Sequence, residues 1–406
     1  MAGKTVLILG GGVGGLVAAN ELRRRLGAEH RVLVVERSGQ HVFIPSLPWV
    51  MAGWRGPDQI TKELRRMVLP GVDVVQAQVK GIDTSRQKVS TDSRELGYDY
   101  LVVALGAELT PEAVPGYIEA AHNFFTLEGV TRLARVLKDF PGGKVAVVVS
   151  RLPYKCPAAP YEAALLLHDV FRRRGLLERI DLRVFTPENL PMPVAGPVLG
   201  QAVKGMLEEK GIGFHPAVQL TSIDPGARQL RFQDGVTAAF DLLVAVPPHR
   251  APAALNGSGL ADETGWLTVD RRTLRTRVGN VYAVGDVTRI ILPNGKPLPK
   301  AGVFAHAEAQ VVARNIADDI LGTRPEARFD GLGYCWIEMG GGVAGFASGD
   351  FYAEPDPVVK LARPGRVWHW GKVLFESYWM HDGVTSLASR WALALGSRLV
   401  GVPASL

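Results

Sequence analysis

At 406 residues the chain exceeds one comfortable hydrophobic core, so two or three domains are expected, with ample apolar surface to bury. A formal charge of +6 favours anionic partners without singling out nucleic acid, and no nucleic-acid function is expected. Only two cysteines argue against a disulfide scaffold and a structural zinc site, no metal centre is read, and no uninterrupted apolar run of roughly 18 residues offers a spanning helix.

Thr5-Val6-Leu7-Ile8-Leu9 reads as a buried strand that starts too early to leave room for an ordinary export signal. Gly10-Gly11-Gly12-Val13-Gly14-Gly15 follows, then a helical stretch at 16–26 and a strand at 31–36, together one βαβ unit. The glycines satisfy G-x-G-x-x-G. Gly10 permits the tight turn, Gly12 lets backbone approach a pyrophosphate at the helix N-terminus, and Gly15 allows close helix–strand packing. Glu36 ends the next strand, about 20 residues on, where a carboxylate accepts from ribose hydroxyls. A doubly wound dinucleotide-binding domain therefore opens the chain.

Residues 98–106 form a later strand of the same sheet, leaving through Pro111 and Pro115. From about Phe124 a second α/β register begins, with helix before strand. Its strand at 144–149 should run into a second glycine turn, yet it meets Ser150-Arg151-Leu152-Pro153-Tyr154-Lys155-Cys156-Pro157. Further strands are predicted at 181–185 and 242–246, and residues 281–286 return to the first domain. After about Arg328 the texture turns to aromatics and short strands, with Trp336, Phe346, Phe351, Tyr352, Trp368 and Trp370. The predicted class is α/β: two Rossmann-like domains, residues 1–120 with 270–328 and residues 121–269, and a mixed α+β cap with an amphipathic tail at 329–406. In that tail Leu387, Trp391, Leu395 and Leu399 share a helical face with Arg390 and Arg398 nearby, a pattern suited to a lipid headgroup layer. From residue 360 the bases Lys360, Arg363, Arg366, Lys372, Arg390 and Arg398 outnumber the acids Glu376 and Asp382. The bland alternative is packing on its own domain or on another subunit of a homo-oligomer.

Residues 101–106 and 280–286 resemble the strand-plus-glycine and Asp-ending elements of the two-dinucleotide-domain flavoprotein disulfide reductases. That resemblance implies FAD, with Asp286 at its ribityl chain. Cys156-Pro157-Ala158-Ala159-Pro160-Tyr161-Glu162, Thr186-Pro187-Glu188, Val246-Pro247-Pro248-His249-Arg250 and Pro299-Lys300-Ala301-Gly302 resemble the sulfide:quinone oxidoreductase and flavocytochrome c sulfide dehydrogenase flavoproteins, over nearly the whole chain. The most specific feature is the pair Cys156 and Cys335, the latter in Gly333-Tyr334-Cys335-Trp336. The resemblance implies that the two meet beside the flavin as a disulfide or polysulfide bridge. Hydrosulfide would attack it, with Cys156 carrying the sulfur and Cys335 becoming the flavin-proximal thiolate. Glu162 is the implied proton acceptor, against the plainer reading of a carboxylate favoured at a helix start.

The same resemblance assigns Gly10, Gly12, Gly15, Glu36, Arg37, Pro45, Val79, Gly106, Asp286, Lys300 and Gly302 to the FAD surface. Gly371-Lys372-Val373-Leu374-Phe375-Glu376-Ser377-Tyr378-Trp379 resembles a quinone element, with Lys372 and Phe375 at the quinone and Trp336 and Phe346 as walls. Aromatic clusters also close cores. A third cysteine common in the family is missing, and residues 41–46 hold no cysteine for flavin attachment, so the FAD is expected to be noncovalent.

The expected activity is oxidation of sulfide to sulfur or polysulfide, with electrons passed through FAD to a membrane quinone, by an enzyme peripheral to the cytoplasmic side of the cell membrane. A type II NADH:quinone dehydrogenase competes, but should keep a glycine turn in the second domain. A flavin subunit serving a bound cytochrome and a flavin-binding scaffold without turnover are further alternatives.

Overall fold

The computed structural model describes residues 3–381, 386, 388–389 and 391–395. Five parallel strands form the first sheet, in the order Val281–Ala283, Tyr100–Val103, Thr5–Leu9, Arg31–Glu36, Val72–Gln76. Its central strand is an unbroken apolar run because helices and loops cover both faces. The helix Val13–Arg25 starts three residues before the stretch read from sequence. Gly14 and Gly15 are already helical: a β-carbon on Gly15 would sit 1.8 Å from the Gly10 carbonyl, and one on Gly14 would sit 2.9 Å from Val284.

The second sheet is also parallel, in the order Ala121–Asn123, Leu242–Val246, Gly143–Val149, Ile180–Phe185, Gly213–His215. Ala121–Asn123 precedes the point where the sequence reading starts this register with a helix. It is a half-buried edge strand of three residues, Ala-His-Asn, without the apolar run that marks a central strand. Helix Ala159–Arg173, buried along nearly its whole length, leaves the turn that carries Cys156.

Leu332–Gly340, Val343–Asp350 and Val358–Gly365 form an antiparallel sheet, followed by the helix Arg366–Met380. The first of these strands packs on helix Ala159–Arg173, and Ile8, Val147, Val184, Phe304 and Ile337 belong to one continuous apolar core. The three units are therefore braced against one another around the cysteine turn. Trp391 and Leu395 are exposed, 70% and 63%. Leu387, Arg390, Arg398, Leu399 and Asp382 lie outside the described residues. The Ser386 and Ser389 hydroxyls donate to the Tyr378 carbonyl and the Ser377 hydroxyl, both at 3.0 Å, which ties the start of the tail to the preceding helix. Among the described residues no helix is long and apolar enough to cross a membrane.

Candidate active site

Where a glycine turn would leave the strand Gly143–Val149, the chain places Cys156 at φ 54°, the left-handed region, at a cost of about 1 kcal/mol or more for a residue with a β-carbon. Two backbone bonds hold it there: its N–H donates to the Lys300 carbonyl at 2.7 Å, and its carbonyl accepts from Ala159 N–H at 2.8 Å. Cys335 sits inside the strand Leu332–Gly340. Both thiols are free and line one cavity of about 480 Å³ with Tyr154, Trp266, Lys300 and Tyr334. Burial, with Glu162 adding to it, pushes the Cys156 thiol up to about 12; burial and then Cys156 hold Cys335 well above its ordinary range. Neutral forms of the pair, dithiol or disulfide, are thus favoured. A thiolate released by opening a disulfide here is a high-energy species, poised to pass on its charge.

Glu162 lies in the first turn of helix Ala159–Arg173 and accepts from Lys372 Nζ at 2.6 Å in an almost fully buried ion pair. The sequence reading put Glu162 at the sulfur end and Lys372 at a separate quinone end; the structure joins them into one group. Burial raises the Glu162 carboxyl against the pull of Lys372. Burial opposes the Lys372 charge, but Glu162 and Glu338 outweigh it and hold the amine above its ordinary value. The pair therefore keeps its shared proton tightly. Glu338 is a neighbour that sequence reasoning missed, and it accepts from His369 Nδ1–H at 3.1 and 3.0 Å. The available signal was a lone acid in an otherwise apolar strand, Cys335-Trp336-Ile337-Glu338-Met339.

Phe375 stacks on Trp336 at 5.4 Å and 30°, and meets Phe43 at 5.7 Å. The Trp336 indole N–H is buried with no partner among the described residues. Phe346, expected as a quinone wall, packs against Trp336 at 5.4 Å. Trp368 covers it at 4.7 Å and 10° and Tyr334 stacks on it at 5.9 Å and 26°, so it backs Trp336 and offers no open ring face.

The glycine turn fits a dinucleotide. Gly10 has φ 102°, and a β-carbon there would lie 2.4 Å from the Ala104 carbonyl. Gly12, at the helix start, would meet nothing within 4 Å, and no acid occupies the first helical turn. Open space thus faces a positive helix end, as a pyrophosphate requires. The Glu36 carboxylate stands beside it, accepting from Gly11 N–H at 2.8 Å and from Ser38 N–H and Oγ–H at 3.1 Å. Gly106, at φ 69°, and half-buried Asp286 follow the carboxyl ends of neighbouring strands, where ligands lie in such sheets. Arg37 and Pro45 are exposed, Val79 is half-buried at the start of Val79–Asp83, and Gly302 opens the helix Gly302–Ile320. Lys300 Nζ donates to the carbonyls of Asp286 at 2.6 Å and Thr288 at 2.9 Å and lies 3.5 Å from the centre of the Trp266 ring. Burial pushes this amine down to about 8, with Asp286 opposing. His41 is a second residue sequence reasoning left without a role. Its Nδ1–H donates to the Gly11 carbonyl and its Nε2 accepts from Trp379 Nε1–H, both at 2.9 Å, linking the last helix to the glycine turn.

At the corresponding place on the second sheet the acid is already engaged. Glu188 follows the strand Ile180–Phe185, where an acid would meet a nucleotide ribose, but it is buried and accepts from Tyr154 Oη–H at 2.9 Å, from Tyr161 Oη–H and from Thr186 Oγ–H at 3.3 Å. Tyr154 from the cysteine turn and Tyr161 from the helix after it thus both engage the acid.

The chain belongs to the pyridine nucleotide-disulphide oxidoreductase family, which it matches over residues 4–150 and 162–309. The unmatched interval, 151–161, holds the cysteine turn and the first residues of the helix after it. The chain is similar to the mitochondrial sulfide:quinone oxidoreductase of Mus musculus, 27% identical over 369 residues that cover 86% of this chain and 79% of that one. The sulfide-quinone reductase of Aquifex aeolicus is 26% identical over 405 residues, 93% and 90% of the two chains. The X-ray structure of the sulfide:quinone oxidoreductase from that bacterium matches with a TM-score of 0.83 at 25% identity, over 92% and 90% of the two chains. The type II NADH:quinone oxidoreductase Ndh of Mycobacterium tuberculosis is 25% identical over 356 residues, 80% and 74% of the two chains.

Proposed function

We propose that the chain is an FAD-dependent sulfide:quinone oxidoreductase acting through Cys156 and Cys335. The observation that carries this reading is the convergence of two thiols from distant segments on one cavity, at the turn where a nicotinamide-binding domain would open its glycines. In the oxidised enzyme hydrosulfide attacks the Cys156 sulfur of a Cys156–Cys335 disulfide; the S–S bond breaks, Cys156 becomes a persulfide and Cys335 a thiolate. Burial destabilises that thiolate and drives it to give up its electron pair. Noncovalent FAD, held by Gly10, Gly12, Gly15, Glu36 and Asp286, supplies two-electron acceptor chemistry between the cysteines and the quinone. Glu162 and Lys372 hold a proton beside the reacting sulfur. Trp336 and Phe375 supply an aromatic wall for the quinone ring, and the unpartnered indole N–H of Trp336 supplies a donor for a carbonyl oxygen.

The C-terminal segment is the proposed membrane contact, on the cytoplasmic face. Val367 and Trp370 on helix Arg366–Met380 are exposed, as are Trp391 and Leu395 beyond it and the bases Lys360, Arg363 and Arg366 before and at the start of the helix. A homo-oligomer is compatible with this arrangement and light scattering tests it. Anaerobic assay of sulfide-dependent reduction of a short-chain quinone by the FAD-loaded protein tests the activity: turnover is expected, and none with fully loaded enzyme overturns the reading. Truncation after residue 383 should release the protein from anionic liposomes while FAD stays bound; a truncated protein that still sediments moves the membrane contact elsewhere.

A further inference from the structure

We propose that Glu338 and His369 form the path by which protons from water reach the buried Glu162–Lys372 pair for quinone reduction. The inference rests on the sulfide:quinone reading for its chemistry. Oxidation of hydrosulfide to the sulfur of a persulfide releases one proton and two electrons, and reduction of a quinone to a quinol consumes two electrons and two protons. The sum is hydrosulfide plus quinone plus one proton giving sulfane sulfur plus quinol. One proton per turnover therefore comes from water into a site whose ionisable groups are buried.

The structure brings the groups for that transfer side by side: His369 is hydrogen-bonded to the Glu338 carboxylate, and Glu338 adjoins the pair through its backbone N–H and its charge. The side chains of Glu162 and Lys372 are 5% and 3% exposed, Glu338 is 0% exposed, and His369 is 17% exposed, so water contact increases only at the imidazole. Lys372 Nζ donates to Glu162 at 2.6 Å and feels the charge of Glu338; Glu338 N–H donates to Glu162 at 3.4 Å; His369 Nδ1–H donates to both Glu338 oxygens. Two buried carboxyl groups face one lysine, and His369 is the member of the set that reaches water and hydrogen-bonds inward to Glu338, the position of a group that hands protons on. The arginines that lie over the tryptophan neighbours of His369 are engaged elsewhere. On the helix Ala159–Arg173, Arg173 pairs with Asp169 at 3.0 Å and lies over Trp54. Arg55 pairs with Glu376 at 2.8 Å and lies over Trp49. Trp49 and Trp54 both border the imidazole ring, at 5.8 Å each, and confine it toward Glu338.

The test reduces the FAD-loaded holoenzyme with dithionite, so sulfide is not needed, and follows reoxidation by a short-chain ubiquinone analogue across pH. His369→Gln and Glu338→Gln should each slow reoxidation by about 10²-fold and alter its pH profile and solvent isotope effect, and free imidazole should restore part of the rate in His369→Gly. Wild-type rates and an unchanged pH profile in FAD-loaded His369→Gln or Glu338→Gln overturn the relay. Should a variant lose FAD, the wild-type enzyme decides: a reoxidation rate insensitive to pH and to heavy water excludes proton uptake from limiting the step. Failure of wild-type flavin to bleach with sulfide instead counts against the activity, independently of the relay.

Discussion

The chain contains the same turn twice, built for opposite ends. After the strand Thr5–Leu9 the turn is all glycine, and at Gly12 the place for a side chain is open. After Gly143–Val149 the turn carries Tyr154 and Cys156, the helix after it carries Tyr161, and the two hydroxyls occupy the acid, Glu188, that a nucleotide would need. One strand–turn–helix unit leaves open space at a helix start, and the other presents a thiol beside an acid that is already hydrogen-bonded. The sheet fixes where chemistry can occur, and the few residues after one strand decide which chemistry it is.

The sharpest break of this contrast is loss of the thiol itself. Cys156→Ser or Cys335→Ser should cut flavin reduction by sulfide roughly 10³-fold with FAD still bound, because the disulfide that sulfide attacks is gone. Stopped-flow bleaching with a flavin absorbance check measures both. Next in size, Lys372→Met leaves Glu162 buried without its partner, beside a fully buried Glu338. A stability loss of about 3–5 kcal/mol is expected, largely recovered in Lys372→Met with Glu162→Gln, while turnover is not recovered. Denaturant titration of the single and double variants checks this.

Phe375→Ala removes the ring stacked on Trp336 and should slow quinone reduction about tenfold while sparing flavin reduction by sulfide. Equal slowing of both half-reactions would make Phe375 a structural residue only. The last expected effect is on stability, at His249, which follows the strand Leu242–Val246. Burial first, and Lys155 second, push its imidazole down to about 3 from 6.5. The unfolded chain binds the proton that the folded chain refuses, so stability present above pH 6.5 is lost as pH falls toward 3, by about 1.4 kcal/mol per pH unit inside that window. The melting temperature of His249→Leu should therefore fall less steeply than that of the parent between pH 6.5 and about 4.5.

Much of this was legible in the sequence because its signals are local. The glycine spacing, Glu36 and the apolar runs of the central strands obey fixed periods and offsets, and the structure places them accordingly. The edge strand Ala121–Asn123 was not legible, since three half-buried residues carry no period. The joining of Glu162 to Lys372 was not legible either. The pair is 210 residues apart and depends on how helix Arg366–Met380 lies over the cap sheet. The packing of Phe346 was not legible because an aromatic residue in sequence does not show which of its faces are covered. Glu188 was visible as an acid after a strand, but only distances show that Tyr154 and Tyr161 already occupy it.

The central claim is that thiol chemistry stands where a nicotinamide would bind. Anaerobic mixing of the FAD-loaded protein with sulfide and, separately, with NADH tests it most directly through flavin bleaching at equal donor concentrations. Rapid bleaching by sulfide with NADH inert is the predicted result; rapid bleaching by NADH with no response to sulfide would contradict it.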